Sequence, residues 1–128
     1  MDQSSVGAVI CRGDELLECG PGICFSIHDG THLLPGFAVR FAGQVRAFIN
    51  RCGHMALQLD IIPAAFFDTD RRYIICANHA ALYDPVTGSC IAGPCDGRGL
   101  IALETREQGG RVMLVDDRYT LAERVTKF

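Results

Sequence analysis

The chain lacks a basic excess, a long hydrophobic run and a signal peptide, and each absence removes a class of function. Its 12 lysines and arginines face 15 aspartates and glutamates, giving a net charge of −3, so it has no basic footprint for nucleic acid. The longest apolar run, 61–67, is interrupted by Pro63, whereas a membrane-spanning helix needs about 20 apolar residues. The first residues show neither the basic nor the apolar region of a signal peptide. We therefore expect a cytoplasmic protein with no membrane or nucleic-acid partner.

The length of 128 residues predicts one domain, 1–128, because it suffices for a hydrophobic core but not for an added catalytic domain. The chain has seven cysteines. In a reducing compartment these are expected to be thiols and metal ligands rather than a disulfide frame. Cysteines outside the motifs described next are expected to be small buried hydrophobes, with a disulfide between Cys90 and Cys95 as the less favoured alternative. These spare cysteines are Cys11, Cys19, Cys24, Cys90 and Cys95.

Two short motifs each offer one thiolate and one imidazole, Cys-Gly-His at 52–54 and Cys-Ala-Asn-His at 76–79. Ligands this close in sequence point at one metal site only from a tight loop, and glycine and asparagine are typical of such loops. Two loops of this kind make a four-ligand site with two cysteines and two histidines. That ligand set suits zinc as well as an iron-sulfur cluster. The candidate ligands are Cys52, His54, Cys76 and His79.

The sequence after the second motif distinguishes these two metal centres. It reads AALYDPVTG at 80–88, followed by Gly93-Pro94. This pattern resembles the Rieske iron-sulfur proteins, in which the second histidine is followed by a small residue, by aromatic-Asp-x-x-Thr-Gly and then by a Gly-Pro loop. The resemblance covers roughly residues 50–103.

The resemblance implies one [2Fe-2S] cluster bound by the four candidate ligands, with the cysteines on one iron and the histidines on the other. It implies two cluster-binding loops, 50–57 and 76–84, and a proline loop, 88–99, that covers the cluster. Four further residues are expected near the cluster without binding it. They are Ala81, Tyr83, Gly93 and Pro94.

The resemblance and the strand-like segments predict an all-β fold, mainly an antiparallel sandwich or barrel, with a small cluster-binding subdomain of loops. Segments rich in β-branched and aromatic residues and bounded by turn residues are predicted to be strands. These segments are 6–11, 23–27, 37–41, 45–49 and 73–75. A closing hairpin is expected from 100–105 and 111–115. The proline loop, rich in glycine, is expected to contain no regular structure. Apolar residues spaced by four and three in 119–128 suggest a short amphipathic helix that docks on its own domain.

Ligand charge predicts the chemistry of such a site. Two ferric ions, two sulfides and two thiolates sum to zero, so an electron enters this cluster more easily than one with four thiolates, at roughly −150 to +300 mV. High-potential members have an extra cysteine in each ligand loop and a serine two residues after the second histidine. This chain lacks both cysteines and has Ala81 at the serine position, while it keeps Tyr83. We expect a low or intermediate potential.

The favoured hypothesis is a soluble carrier that passes single electrons from a reductase to a terminal oxygenase or similar enzyme. A second is the small Rieske subunit of a multi-component enzyme, such as a nitrite reductase or ring-hydroxylating oxygenase. A mononuclear iron site would need two more histidines, and only His28 and His32 remain. They are expected to be surface residues. The third hypothesis is a zinc-binding interaction module.

Overall fold

Strands form almost all of the regular structure in a computed structural model of the chain. The structure describes residues 8–51, 58–60, 64–77, 80–94 and 98–125. Within these ranges the one helical element is a 3-10 turn, Gly13–Glu15. The strands are β1 Ala8–Arg12, β2 Ile23–His28, β3 Leu33–Phe41, β4 Gln44–Ile49, β5 Ile74–Cys76, β6 Ala81–Tyr83, β7 Cys90–Ala92, β8 Ala102–Leu103, β9 Thr105–Gln108, β10 Arg111–Leu114 and β11 Thr120–Val125.

The strands form three antiparallel sheets. The central sheet has the order β11-β2-β3-β4-β8, the outer sheet has the order β1-β10-β9, and the small sheet has the order β5-β6-β7. The prediction of an antiparallel all-β fold is confirmed. The small sheet contains Cys76, the first residue of the second predicted ligand motif.

The central sheet is buried on both faces, because alternate residues of its strands enter two separate cores. In β3, Phe37 and Val39 enter one core and Ala38 enters the other, as the two-residue period of a strand requires. The small-sheet core consists of Cys24, Phe37, Val39, Phe48, Leu59, Phe66, Ile74, Cys76, Ala81, Tyr83 and Leu100. The outer-sheet core consists of Ile10, Cys11, Leu16, Phe25, Ile27, Ala38, Ala47, Ile49, Leu103, Val112 and Leu114.

The predicted hairpin of β3 and β4 is confirmed, and its turn sets the register of the strand before the first ligand motif. Ala42 and Gly43 have φ of 55° and 77°, the left-handed pair that favours a two-residue hairpin turn. The Glu18 carboxylate accepts hydrogen bonds from the N–H groups of Ala42 and Gly43. This contact fixes the turn, and Phe37 then pairs with Phe48 and Gly36 with Ile49.

The prediction of a C-terminal helix is wrong. Residues 120–125 form β11, which pairs antiparallel with β2 and has a register irregularity between Leu121 and Glu123. The predicted spacing rested on a few apolar residues in a short segment, and such a segment has weak helical preference without packing. Pairing with the open edge of β2 satisfies its backbone groups instead.

Two other boundaries also differ from the prediction. The closing hairpin is β9 with β10, whereas β8 pairs with β4 in the central sheet, so the segment expected as one strand serves two sheets. The chain changes sheet at Glu104, whose N–H donates to the buried Asp116 carboxylate. The proline loop contains a short strand, β7, that pairs with β6. Composition over the whole loop obscured this short segment, because its glycines lie on either side of β7.

Candidate metal centre

The structure describes one of the four predicted ligands and all four predicted neighbours. Cys76 is a described residue, as are Ala81, Tyr83, Gly93 and Pro94. The three remaining ligands lie outside the described residues, namely Cys52, His54 and His79. The described part of the site therefore consists of the small sheet, the base of the first loop and part of the proline loop.

Cys76 lies at the end of β5, where it pairs with Ala81 of β6. Both residues and Tyr83 are fully buried at 0% exposure in the small-sheet core. Cys76 is a thiol and not part of a disulfide. A sheet edge thus places a soft sulfur ligand at a fixed position, with apolar neighbours on its inner side.

The turn after Cys76 is held by the N–H of Ala80, which donates to the carbonyl of Cys76 at 2.8 Å. Ala80 has φ of 59°, in the left-handed region. Glycine adopts this conformation without strain, whereas an alanine loses roughly 1–2 kcal/mol there. Ala80 therefore adopts the backbone conformation of a glycine at the position where the Rieske pattern has a small residue, usually glycine.

The base of the first loop is closed by two polar side chains. The Asn50 side-chain oxygen accepts a hydrogen bond from the N–H of Leu59 at 2.8 Å. The Asn50 amide nitrogen donates to Asp60 Oδ1 at 3.0 Å, and Asp60 Oδ2 accepts from the N–H of Ala64 at 2.9 Å. Asn50 is only 1% exposed. Neither side chain belonged to the predicted site, although a polar residue directly after the apolar strand β4 was a signal for one.

Leu59 connects the base of the first loop to the strand end that contains Cys76. Its carbonyl accepts a hydrogen bond from the N–H of Ala77, the residue after Cys76, at 2.9 Å. The N–H of Ile75 donates to the carbonyl of Phe66, also at 2.9 Å. Backbone hydrogen bonds therefore hold β5 against the segments that follow the first loop.

The described part of the proline loop lies directly against Ala80 and Ala81, which follow the second motif. Gly93 has φ of 89°, and a Cβ atom built there would be 2.8 Å from Ala81 Cα and 3.1 Å from the Ala80 carbonyl oxygen. A side chain at this position would displace backbone, so only glycine permits the observed approach. Pro94 follows at the surface. The two backbones are thus packed where the pattern predicted a covering loop.

The spare cysteines divide into thiols and one disulfide. Cys11, Cys19 and Cys24 are thiols, and burial together with nearby Glu15 raises the pKa of Cys11 to about 11. A protonated buried thiol is a poor ligand and nucleophile. Cys90, by contrast, is in a disulfide whose partner lies outside the described residues. The expectation of thiols is wrong for Cys90, because it was based on the assumed compartment and not on loop geometry.

His32 is on the surface, as predicted, whereas His28 is half-buried at the end of β2. His28 Nδ1 accepts a hydrogen bond from the N–H of Gly30 at 2.9 Å, and His32 is exposed beside Asp29. Within the described ranges, no three histidine, cysteine or acidic side chains converge as a metal site. No helix in those ranges is long and apolar enough to cross a membrane.

Comparison with protein families gives one match. Residues 8–108 match the family described as Rieske [2Fe-2S] domain. No curated protein matches the chain.

Three solved structures illustrate the similarity in fold. The ferredoxin of carbazole 1,9a-dioxygenase from Nocardioides aromaticivorans IC177 is 22% identical, with a TM-score of 0.64 over 88% of this chain and 99% of that chain. The Sphingomonas yanoikuyae B1 ferredoxin is 18% identical, with a TM-score of 0.62 over 84% and 96%. A chain of the reduced complex between oxygenase and ferredoxin in carbazole 1,9a-dioxygenase is 17% identical, with a TM-score of 0.68 over 88% of this chain and 30% of that chain.

The family's cofactor is one [2Fe-2S] cluster, and the described residues fit it. Cys76 supplies a buried thiol, and the Gly93 backbone approaches where a side chain would not fit. Among the described residues, the buried polar or charged side chains are Ser26, Asn50 and Asp116, and none of the three belongs to the small-sheet core around Cys76. Thiolate ligands in a shielded, largely apolar setting suit an iron-sulfur cluster. This match sets aside the hypothesis of a zinc-binding module.

Proposed function

Because this chain belongs to the Rieske [2Fe-2S] domain family, we propose that it is a one-electron carrier. Its cluster accepts one electron from a reductase and passes it to a terminal oxygenase or similar enzyme. No bond is made or broken in a substrate at this site. The observation that carries the proposal is the family match across residues 8–108.

We assign the cluster to the four residues of the two motifs. Cys52 and Cys76 bind one iron, and His54 and His79 bind the other. The buried Cys76 thiol at the end of β5 supports this assignment, as does the hydrogen bond that ties Ala77 to Leu59. In this assignment the whole chain, 1–128, is one domain with the loops 50–57, 76–84 and 88–99 around the cluster.

The similar structures support the choice of partners. Two of them are ferredoxins matched over almost their whole length, and the third comes from a complex of an oxygenase with a ferredoxin. A carrier of this kind needs an exposed path to its cluster and no substrate pocket. A cytoplasmic location stays a prediction. The disulfide of Cys90 weakens that prediction, because a reducing compartment disfavours disulfides.

A second candidate is a Rieske subunit that stays bound within a larger enzyme. It is favoured by the TM-score of 0.68 for a chain of which this fold covers only 30%. The two candidates differ in the lifetime of the complex. A carrier must dissociate from each partner, whereas a subunit remains with one.

The first experiment measures iron, acid-labile sulfide and visible absorption in the purified protein. We expect two iron and two sulfide per chain, as the [2Fe-2S] formula requires. Cys76→Ser should abolish both, whereas Cys11→Ser and Cys24→Ser should retain them. Full cluster content in Cys76→Ser, or loss in either control, would refute the ligand assignment.

The second experiment follows electron transfer by stopped flow. The oxidised protein should be reduced by a ferredoxin reductase and reoxidised by an oxygenase of the same system within a turnover. Size-exclusion chromatography of the mixture should show no stable complex. A stoichiometric complex that survives chromatography would favour the subunit role instead.

A further inference from the structure

Asn50 is a polar side chain with almost no exposure, at the junction between the central sheet and the first ligand loop. It is 1% exposed and follows the last residue of β4. A buried amide is costly unless its donor and acceptor are both paired. Its oxygen pairs with the N–H of Leu59 and its nitrogen with Asp60 Oδ1. The side chain therefore spans the loop from its beginning to its end.

Asp60 determines which way the Asn50 amide faces. Both Asp60 oxygens accept hydrogen bonds, one from the Asn50 amide nitrogen and one from the N–H of Ala64. The NH₂ group of Asn50 must then face Asp60, which leaves its oxygen for Leu59. The order of donors and acceptors admits one arrangement only.

The same residues reach the second motif. The carbonyl of Leu59 accepts from the N–H of Ala77, directly after Cys76. Hydrogen bonds thus run from Asp60 through Asn50 and Leu59 to Ala77. Displacement of Leu59 would change the base of both ligand loops together.

We propose that Asn50, oriented by Asp60, is a positioning residue that locks the two ligand loops to each other through Leu59. This inference rests on the proposed function, since it concerns how the cluster loops are held. It assigns to the pair no contact with the cluster and no electron or proton transfer. Its effect is to fix the distance between the first loop and Cys76.

The test exchanges the two side chains. Asn50→Asp places a second carboxylate against Asp60, and Asp60→Asn puts one NH₂ group against a donor. Each single variant loses at least one hydrogen bond. In the double variant Asn50→Asp/Asp60→Asn, the new aspartate accepts from Leu59 and from the new asparagine, whose oxygen accepts from Ala64. All three bonds return, although the charge moves to the more buried position.

The first readout is amide hydrogen exchange of the purified holoprotein, measured by mass spectrometry on peptides that contain Leu59 and Ala77. Each single variant should raise exchange in both peptides by about tenfold or more, corresponding to about 1.4 kcal/mol, the size of one hydrogen bond. The exchanged pair should return to within about threefold of the wild type. The second readout is the visible circular dichroism of the cluster, which should change in the single variants and recover in the pair.

The control is Asp116→Asn, which removes another buried acceptor. Asp116 accepts from the N–H of Glu104 and from Arg118, both remote in sequence from the ligand motifs. This variant should lose global stability without a change at Leu59, at Ala77 or in the cluster spectrum.

Two results would overturn the inference. One is unchanged exchange at Leu59 and Ala77 in Asp60→Asn, a variant at a half-buried position that should fold even if the exchanged pair does not. The other is an equal effect from Asp116→Asn, which would make Asn50 an ordinary stability residue. Failure of the proposed function would instead appear as absent electron transfer to the partners, with the exchange pattern intact.

Discussion

The two faces of the central sheet are covered by different means. On the outer-sheet side, ion pairs join separate elements, with Arg40 bound to Glu107 at 2.8 Å and Arg124 to Glu15 at 2.7 Å. On the small-sheet side, no ion pair between described residues involves one from 51–100, and stacked rings of Phe37 and Phe66, 3.9 Å apart, fill the interface. Ion pairs thus join separate elements on the outer-sheet side, whereas the side around the ligand motifs is held by apolar packing and by hydrogen bonds, including those accepted by the Asp60 carboxylate.

This difference has a physical reason. A fixed charge near a redox centre shifts its potential, and it does so strongly where the dielectric is low. Hydrogen bonds between neutral groups position a loop with a much smaller field. The ion pairs between described residues therefore lie outside the segment that contains the ligand motifs, although the Asp60 carboxylate accepts hydrogen bonds at the base of the first loop.

The largest expected effect tests whether the cores on the two sides of the central sheet affect the cluster independently. Phe66→Ala removes the ring that stacks on Phe37, and Leu114→Ala removes a side chain of similar burial from the outer-sheet core. We expect losses of about 3–5 and 2–5 kcal/mol in the free energy of unfolding, respectively. Only Phe66→Ala should also reduce the visible absorption of the folded protein. Equal loss of absorption in both, measured below their unfolding transitions, would mean that the two cores act as one unit.

The next effect concerns the stability of the outer-sheet side at acid pH. The hydrogen bond from Arg118 lowers the pKa of Asp116 from its usual 3.8 to about 2 against the opposing effect of burial. The stabilisation is therefore complete above pH 3.8 and disappears as the pH falls through about 2, and it amounts to roughly 2 kcal/mol.

Urea unfolding of the wild type and Asp116→Asn measures this contribution. The difference between their free energies of unfolding should be constant near neutral pH and shrink below about pH 4. A difference that stays constant down to pH 2 would assign the stabilisation to something other than ionised Asp116.

A smaller effect concerns the reduction potential of the cluster. Ala81 is fully buried at the serine position of the Rieske pattern. A serine hydroxyl that donates to a cluster sulfide favours the reduced state by about 1–2 kcal/mol, because the bond strengthens as the cluster becomes more negative. Ala81→Ser should therefore raise the potential by roughly 40–90 mV.

Voltammetry at one pH and ionic strength measures this shift, with full iron content as the condition. Tyr83→Phe should lower the potential if the hydroxyl of this buried residue reaches a ligand sulfur. A change under about 10 mV in Ala81→Ser would show that the hydroxyl points away from the cluster.

The smallest effect compares two strained alanines, one after the second ligand motif and one in the β3–β4 turn. Ala80 and Ala42 have φ of 59° and 55°. Glycine at either position should stabilise the fold by roughly 0.5–1 kcal/mol, after its greater freedom in the unfolded chain is subtracted. Thermal unfolding should show similar gains for Ala80→Gly and Ala42→Gly. A loss of stability in Ala80→Gly alone would mean that the alanine methyl group contributes packing that outweighs the strain.

Local patterns predicted the supporting strands well, because alternation and turn residues act over a few neighbours. The β3–β4 hairpin and β5 followed from such patterns. The C-terminal strand β11 was not predicted, because its partner β2 lies almost a hundred residues earlier and only tertiary pairing decides the structure of this segment. For the same reason β8 was assigned to the wrong hairpin.

The candidate site was predicted from the spacing of its ligands and from a family resemblance, both of which are visible in sequence. The hydrogen bonds that Asn50 and Asp60 make at the base of the first loop were not predicted. These bonds join residues through side-chain geometry that no spacing expresses, and the one signal in the sequence is a polar residue directly after β4. A disulfide of Cys90 was ranked below a thiol in the prediction, because that ranking depended on the assumed compartment and not on the fold.

The pairing of β4 with β8 affects whether the segment between these strands could be transferred to another protein. Ala47 faces Leu103 and Phe48 faces Ala102, so residues 50–101 leave and re-enter the central sheet at adjacent strands. The ligand motifs, the small sheet and the proline loop thus form one insertion between neighbouring strands. Because the entropy of loop closure grows only slowly with length, such an insertion costs little more than a short connection. Recombination could therefore transfer the segment that contains the redox centre into another sheet without changing the order of that sheet's strands.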